Sequence, residues 1–152
     1  MRGLEKTAAA LSLVAGLVHL AAGPEHLREW VGYGAFFFAA AAAQVVFAIL
    51  LATQGVEGWG GWVRVRRPVY WAGIVGNLLI LAMWAVTRTV GVPLGPEQGE
   101  VEDVGGLDGL SVVLEAGLIF ALARLLALMR PSRGRPRWPC ARNGRRPRGR
   151  RT

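Results

Sequence analysis

The chain has 152 residues, 53% of them hydrophobic, and a mean hydropathy of +0.35, richer in apolar side chains than a typical water-soluble domain and pointing to lipid as the solvent. Its formal charge of +8 is unevenly placed, because all 10 acidic residues precede Arg130 and the stretch from Arg130 to Thr152 is basic throughout. The body is thus mildly acidic, and whole-chain basicity is no argument for a nucleic-acid-binding fold. The single cysteine, Cys140, excludes an internal disulfide and a thiolate metal cluster within one chain.

A membrane-crossing helix needs about 20 mostly apolar residues to traverse roughly 30 Å of hydrocarbon. Four stretches come close: Thr7 to Gly23, Trp30 to Thr53, Val69 to Thr87, and Leu110 to Met129. The first can also be read as a secretory signal, since Arg2 and Lys6 precede an apolar run ending in Ala21, Ala22 and Gly23; Pro24, directly after the candidate cleavage point, argues against processing. The expectation is an all-α, up-and-down transmembrane four-helix bundle over residues 1–129, followed by a disordered, arginine-rich cytoplasmic tail over 130–152.

Lysine and arginine in short flanking loops resist translocation. Arg2 and Lys6, then Arg64, Arg66 and Arg67, then the tail all fall on one side of the four spans, while the other side carries only Arg28 and Arg88 with the acidic stretch Glu97 to Asp108. This predicts a multi-pass plasma-membrane protein with both termini in the cytoplasm. Trp30 and Tyr33, Trp59 and Trp62, Tyr70 and Trp71, and Trp84 mark span ends, as amphipathic rings do at the interface. Small residues at helical spacing, Ala8, Ser12 and Gly16 on the first span and Ala35, Ala39 and Ala43 on the second, suit close helix packing, although an Ala-rich chain produces such ladders by chance. The stretch Gly91 to Gly109 is too rich in Pro, Gly and acid for a helix in lipid and reads as a structured or lidding loop outside the membrane.

The tail has Pro, Gly and Arg but almost no apolar residues, so it has no core to form and suits contact with anionic lipid head groups. One tryptophan and no folded module make it a weak nucleic-acid signal.

An ionisable residue at the centre of a span costs about 2.5 to 3.5 kcal/mol on insertion scales and is a functional-site hypothesis by default. Arg124 lies near a span end, where its side chain can snorkel. His19, Gln44, Asn77 and Glu115 lie deeper, with His26, Arg88 and Asp108 at the outer boundary. His19 and His26 are seven residues apart, as are Asp108 and Glu115, so each pair shares a face of a continuous helix. The first span runs outward and the fourth inward, which brings His19 and Glu115 to similar depth. These residues predict an outward-facing polar cluster lined by His19 and Glu115 and roofed by His26, Asp108 and Glu102. Two imidazoles with carboxylates suit a transition metal. His19 and His26 are alternatively haem ligands, although Gly23 and Pro24 interrupt the chain between them. A purely structural network, with Glu115 paired to His19 or Arg88, is the third reading. Gln44 and Asn77 reach matching depths and are expected to hydrogen-bond across helices, with Arg88 as the remaining member of a polar network. Phosphate-binding glycine loops, nucleophile elbows and zinc-protease motifs are absent from the sequence, which argues against a cofactor-free hydrolase.

The segments HLAAGPEHLREWVGYGAFF (His19 to Phe37) and NLLILAMWAVTRTVGVPLGP (Asn77 to Pro96), together with Gln44, Glu102, Asp108 and Glu115, resemble a family of small four-helix bacterial integral membrane proteins. The resemblance spans most of the body but not the tail, and it implies the bundle without a biochemical role. Three functional readings follow: a membrane protein binding a metal ion or small ligand, a haem-dependent electron carrier or enzyme, and a ligand-free scaffold or transporter subunit.

Overall fold

The computed structural model describes residues 2–53 and 62–129, with the side chains of the third helix from Val65 onward. It contains α1 (Arg2–Glu29), α2 (Val31–Thr53), α3 (Trp62–Thr89) and α4 (Gly106–Leu128). Each is long and apolar enough to cross a membrane. The side chains are distributed as lipid requires: Leu79, Val113 and Phe120 are about two-thirds exposed, whereas Glu5, Ser12, His19, Gln44, Asn77, Ser111 and Glu115 are buried. Water would reverse that arrangement. The protein is a multi-pass membrane protein, with four helices among the described residues. The expectations for Trp59, for Cys140 and for the tail lie outside the described residues.

Helix α2 matches its expected span to within a residue at its start, but the other three are longer. Helix α1 begins at Arg2 and runs through Pro24 to Glu29, so Gly23 and Pro24 do not break it. The backbone bond that proline removes falls near the helix end, and the last turn closes where Trp30 N donates to His26 O at 3.0 Å. Helix α3 starts at Trp62 rather than Val69, carrying Arg66 and Arg67 on its first turns, and α4 starts at Gly106, four residues before Leu110. Aspartate at position 108 explains that early start: its Oδ2 accepts the Gly105 N–H at 2.9 Å, satisfying a donor the first turn would otherwise leave free.

Helix α1 packs against α2 and α4, and α3 packs against α4. One residue, Trp30, joins α1 to α2. So tight a hairpin requires close approach of the helices at glycine: a Cβ on Gly34 would lie 2.7 Å from Leu27 Cα, and one on Gly16 would lie 3.1 Å from Ala41 O. Ala8, Ser12 and Gly16 on α1 are buried at helix contacts. The expected ladder on α2 is not: Ala35, Ala39 and Ala43 are exposed, and Gly34, Ala41, Gln44 and Ala48 are buried in their place. Spacing alone fits several stripes of an Ala-rich helix, and the bulk and polarity of Gln44 select which of them turns inward. Between the end carrying the N-terminus and the middle of the bundle, Ala8, Leu51, Tyr70, Leu118, Leu122 and Leu125 form the apolar core.

The segment between α3 and α4 folds back over the opposite end. Val92 N donates to Glu100 O, Gly99 N to Val92 O and Glu102 N to Thr87 O, while Tyr33 Oη donates to Leu94 O at 2.8 Å and ties the segment to α2. Gly91 has φ +103, and a Cβ there would meet Gly99 backbone at 2.6 Å, so the turn requires glycine.

Gly34→Ala is expected to lower stability by about 1–3 kcal/mol through overpacking. Gly76→Ala, whose new Cβ meets nothing within 4 Å, is expected to change it little or raise it slightly. Unfolding midpoints in one detergent check both; equal effects would contradict the close approach of α1 and α2.

Candidate functional site

Buried polar groups on α1 recur every seven residues, at Glu5, Ser12, His19 and, half-buried, His26. Seven residues advance about 10.5 Å and fall some 20° short of two full turns, so the four share one face. Each has its own partner. Glu5 Oε1 accepts from Tyr70 Oη at 2.9 Å, with Arg66 Nη2 at 3.6 Å. Ser12 Oγ donates to Gln44 Oε1 at 2.6 Å, Gln44 Nε2 donates to Asn77 Oδ1 at 2.8 Å, and Asn77 Nδ2 donates to Gly73 O at 2.7 Å. His19 Nε2 meets Glu115 Oε1 at 2.8 Å, and Ser111 Oγ donates to the same oxygen at 3.0 Å. His26 Nδ1 meets Glu29 Oε2 at 2.8 Å, and its ring stacks on Phe37 with centroids 4.1 Å apart.

His19 is 3% and Glu115 1% exposed. Along the 28-residue α1, His19 lies about 15 Å from the Glu29 end, within the hydrocarbon layer of a bilayer about 30 Å thick. An isolated charge there would be costly, and mutual hydrogen bonding offsets that cost.

Above this pair, a cavity of about 260 Å³ opens between α1, α2, α3, α4 and the folded segment. Its body is apolar and aromatic, with Val18, Phe36, Phe37, Ile80 and Trp84 among its walls; His19, Ser111 and Glu115 form one polar end, and Arg88, Glu102 and Asp108 the other. Arg88 binds Glu102 through Nη1, and its Nη2 donates to Asp108 Oδ2 at 2.7 Å. Two donors on these walls, Trp84 Nε1 and Arg88 Nε, are buried and have no acceptor among the described residues.

The structure therefore brings His19 to Glu115 and Gln44 to Asn77, and it places His26, Glu102 and Asp108 around the same cavity. It does not gather the five acidic and imidazole residues into one ligand set: among the described residues no three His, Cys, Asp or Glu side chains are grouped as a metal ion requires. The physical reason is Arg88, which occupies the two roof carboxylates. Arg88 accordingly belongs with Glu102 and Asp108 rather than with Gln44 and Asn77. The continuity of α1 also bears on haem, because two histidines seven residues apart on one helix face, both packed against the Phe37 ring, are not placed on opposite sides of a single iron. Arg124 is exposed on α4.

Glu5, Ser12, Tyr70 and Ser111 are participants that the sequence does not announce. Glu5 and Tyr70 lie near span ends, where polar residues are unremarkable, and Ser12 was read only as a small residue. The signal that finds Glu5 and Ser12 is the seven-residue step back from His19; on α3 the same step links Tyr70, Asn77 and Trp84.

Comparisons with family models, curated proteins and solved structures return no match for this chain.

In a double-mutant cycle, His19→Ala and Glu115→Ala are expected to couple by about 1–3 kcal/mol. Gln44→Ala and Asn77→Ala are expected to couple by about 0.6 kcal/mol, as neutral interhelical bonds do. Additive losses at His19 and Glu115 would show that the buried pair contributes nothing specific.

Proposed function

We propose that the protein binds a small, uncharged, lipid-soluble molecule in the cavity above His19 and Glu115. The observation carrying this reading is the pairing of an apolar, aromatic chamber with two buried donors, Trp84 Nε1 and Arg88 Nε, that have no acceptor among the described residues. Buried donors are normally satisfied, so a guest with hydrogen-bond acceptors completes what the protein leaves open. Trp84 and Arg88 are four residues apart on α3, which sets them on one face roughly 6 Å from each other, within the span of one small head group.

Charge narrows the guest further. Arg88 is matched by two carboxylates, Glu102 and Asp108, so that rim carries an excess of negative charge and disfavours an anion. A cationic guest would compete with Arg88 for carboxylates already engaged. A neutral carbonyl compound meets neither obstacle. Compared with a metal site, this reading uses the cavity's volume and apolar walls, which a bare ion would leave idle.

The further placement belongs to the same reading. The acidic α3–α4 segment lies on the outer face of the plasma membrane, with both termini and the basic tail at the cytoplasmic face against anionic head groups. The bundle is that of the small four-helix family that the His19 to Phe37 and Asn77 to Pro96 segments resemble.

Titration of the purified protein with a methoxy-substituted benzoquinone lacking a tail is expected to quench tryptophan fluorescence saturably. Val112→Phe, which fills the cavity, is expected to weaken that binding about tenfold or more. Tighter binding of a quaternary-ammonium probe, or stoichiometric metal lost on His19→Ala, would overturn the proposal. A reporter joined after Gly99 that is active only in the cytoplasm would overturn the orientation.

A further inference from the structure

A second cavity, of about 340 Å³, lies between α2 and α3 and is lined by Ala39, Ala43, Phe47, Gly73, Gly76 and the Gln44–Asn77 pair. Phe36 and Ile80 line both this crevice and the outer cavity, so these two side chains are the wall the cavities share. At its other end the crevice is closed by Phe47, whose ring reaches across to α3: a Cβ on Gly73 would lie 2.3 Å from Phe47 Cζ. From Gly73 to Ile80 the crevice runs about 10.5 Å along the helix.

Its surface suits an apolar chain rather than a polar group. Small residues on both helices keep it open, and the amides that face it are internally bonded, Gln44 to Ser12 and Asn77, and Asn77 to Gly73. Ala43 and Gly76 are exposed on the outer surface of the bundle, which in a membrane protein meets lipid. The crevice is therefore open sideways, towards the acyl layer.

We infer that the crevice between α2 and α3 holds the alkyl or isoprenoid tail of a membrane-dissolved quinone whose ring occupies the outer cavity, and that the ligand enters laterally from the bilayer. This rests on the reading of the outer cavity above and adds the ligand's tail and its route. The head is neutral and carries carbonyl acceptors for Trp84 and Arg88. It is also planar, which suits walls built from Phe36, Phe37 and Trp84. Phe36 and Ile80 are all that the two cavities share as a boundary, so a tail that displaces these side chains passes from the outer cavity into a crevice of matching polarity. A guest with the same head but no tail would leave the crevice to lipid.

The test compares a tail-less methoxy-substituted benzoquinone with the same ring bearing a decyl tail, in wild type, Gly76→Phe and Ala43→Phe. Both substitutions fall on exposed positions that line the crevice, and a Cβ at Gly76 meets nothing within 4 Å, so a ring introduced there enters the crevice from its open side. Using one detergent throughout makes micelle partitioning common to all three proteins. Wild type is expected to bind the tailed quinone about tenfold or more tightly than the tail-less one. Either crevice substitution is expected to remove that advantage while leaving tail-less binding unchanged. A tail advantage that survives both substitutions would overturn the inference, assigning the crevice to bulk lipid or a second copy of the chain while the outer cavity keeps its quinone. Failure of wild type to bind either quinone would remove the cavity reading itself, and this inference with it.

Discussion

A polar group inside a bilayer has no water to fall back on, so every one that enters must meet another. In this protein the groups on α1 bring that requirement to each of the other three helices. Tyr70 on α3 answers Glu5, Gln44 on α2 answers Ser12, and Glu115 on α4 answers His19. Because the three lie on one face at different depths, each partner helix is fixed in height as well as in direction. Apolar contacts alone leave a helix free to slide by a turn at modest cost, since lipid tails are as apolar as leucine. The hydrogen-bonded pairs remove that freedom. Their seven-residue repeat is also the period of a left-handed supercoil, in which a residue of the same heptad position returns to the seam in every second turn.

Anchoring the other helices to α1 in this way has a cost elsewhere in the bundle. Helices α2 and α4 lie against α1 and α3 lies against α4, while α2 and α3 meet through the Gln44–Asn77 bond and the Phe47–Gly73 contact. Space collects along that line. At the far end it is enclosed by the folded segment, which is held down at Glu102, by Arg88 and by Thr87 O, and at Leu94, by Tyr33. The chamber is thus a product of where the polar contacts place the helices, and its lid is built from backbone turns and an ion cluster rather than from apolar packing.

Much of this architecture is legible in the sequence because hydropathy and span length respond to the solvent directly. Four apolar runs stand out, and His19, Gln44, Asn77 and Glu115 are conspicuous as polar residues within them. Their depths follow from counting 1.5 Å per residue. What counting misses is rotation: Ala35, Ala39 and Ala43 have the right spacing for an interface and face outward. Proline at 24 suggests a break because its cost in a helix interior is large, yet near a helix end the cost falls to a single missing bond. Arg88 is the least legible residue of all. Its partners come from a loop and a cap, and nothing in one-dimensional spacing tells a guanidinium to take the carboxylates that would otherwise look available to a metal.

The order in which α1 meets its partners follows the order of synthesis. Ser12 acquires Gln44 as soon as the second helix enters, Glu5 must wait for Tyr70 on the third, and His19 has no carboxylate until Glu115 arrives on the last. Until α4 is in place, the His19 imidazole lacks the Glu115 carboxylate it meets in the folded bundle. Helix α4 thus supplies the third of α1's buried partners, and a chain cut short before Glu115 loses the carboxylate that His19 meets.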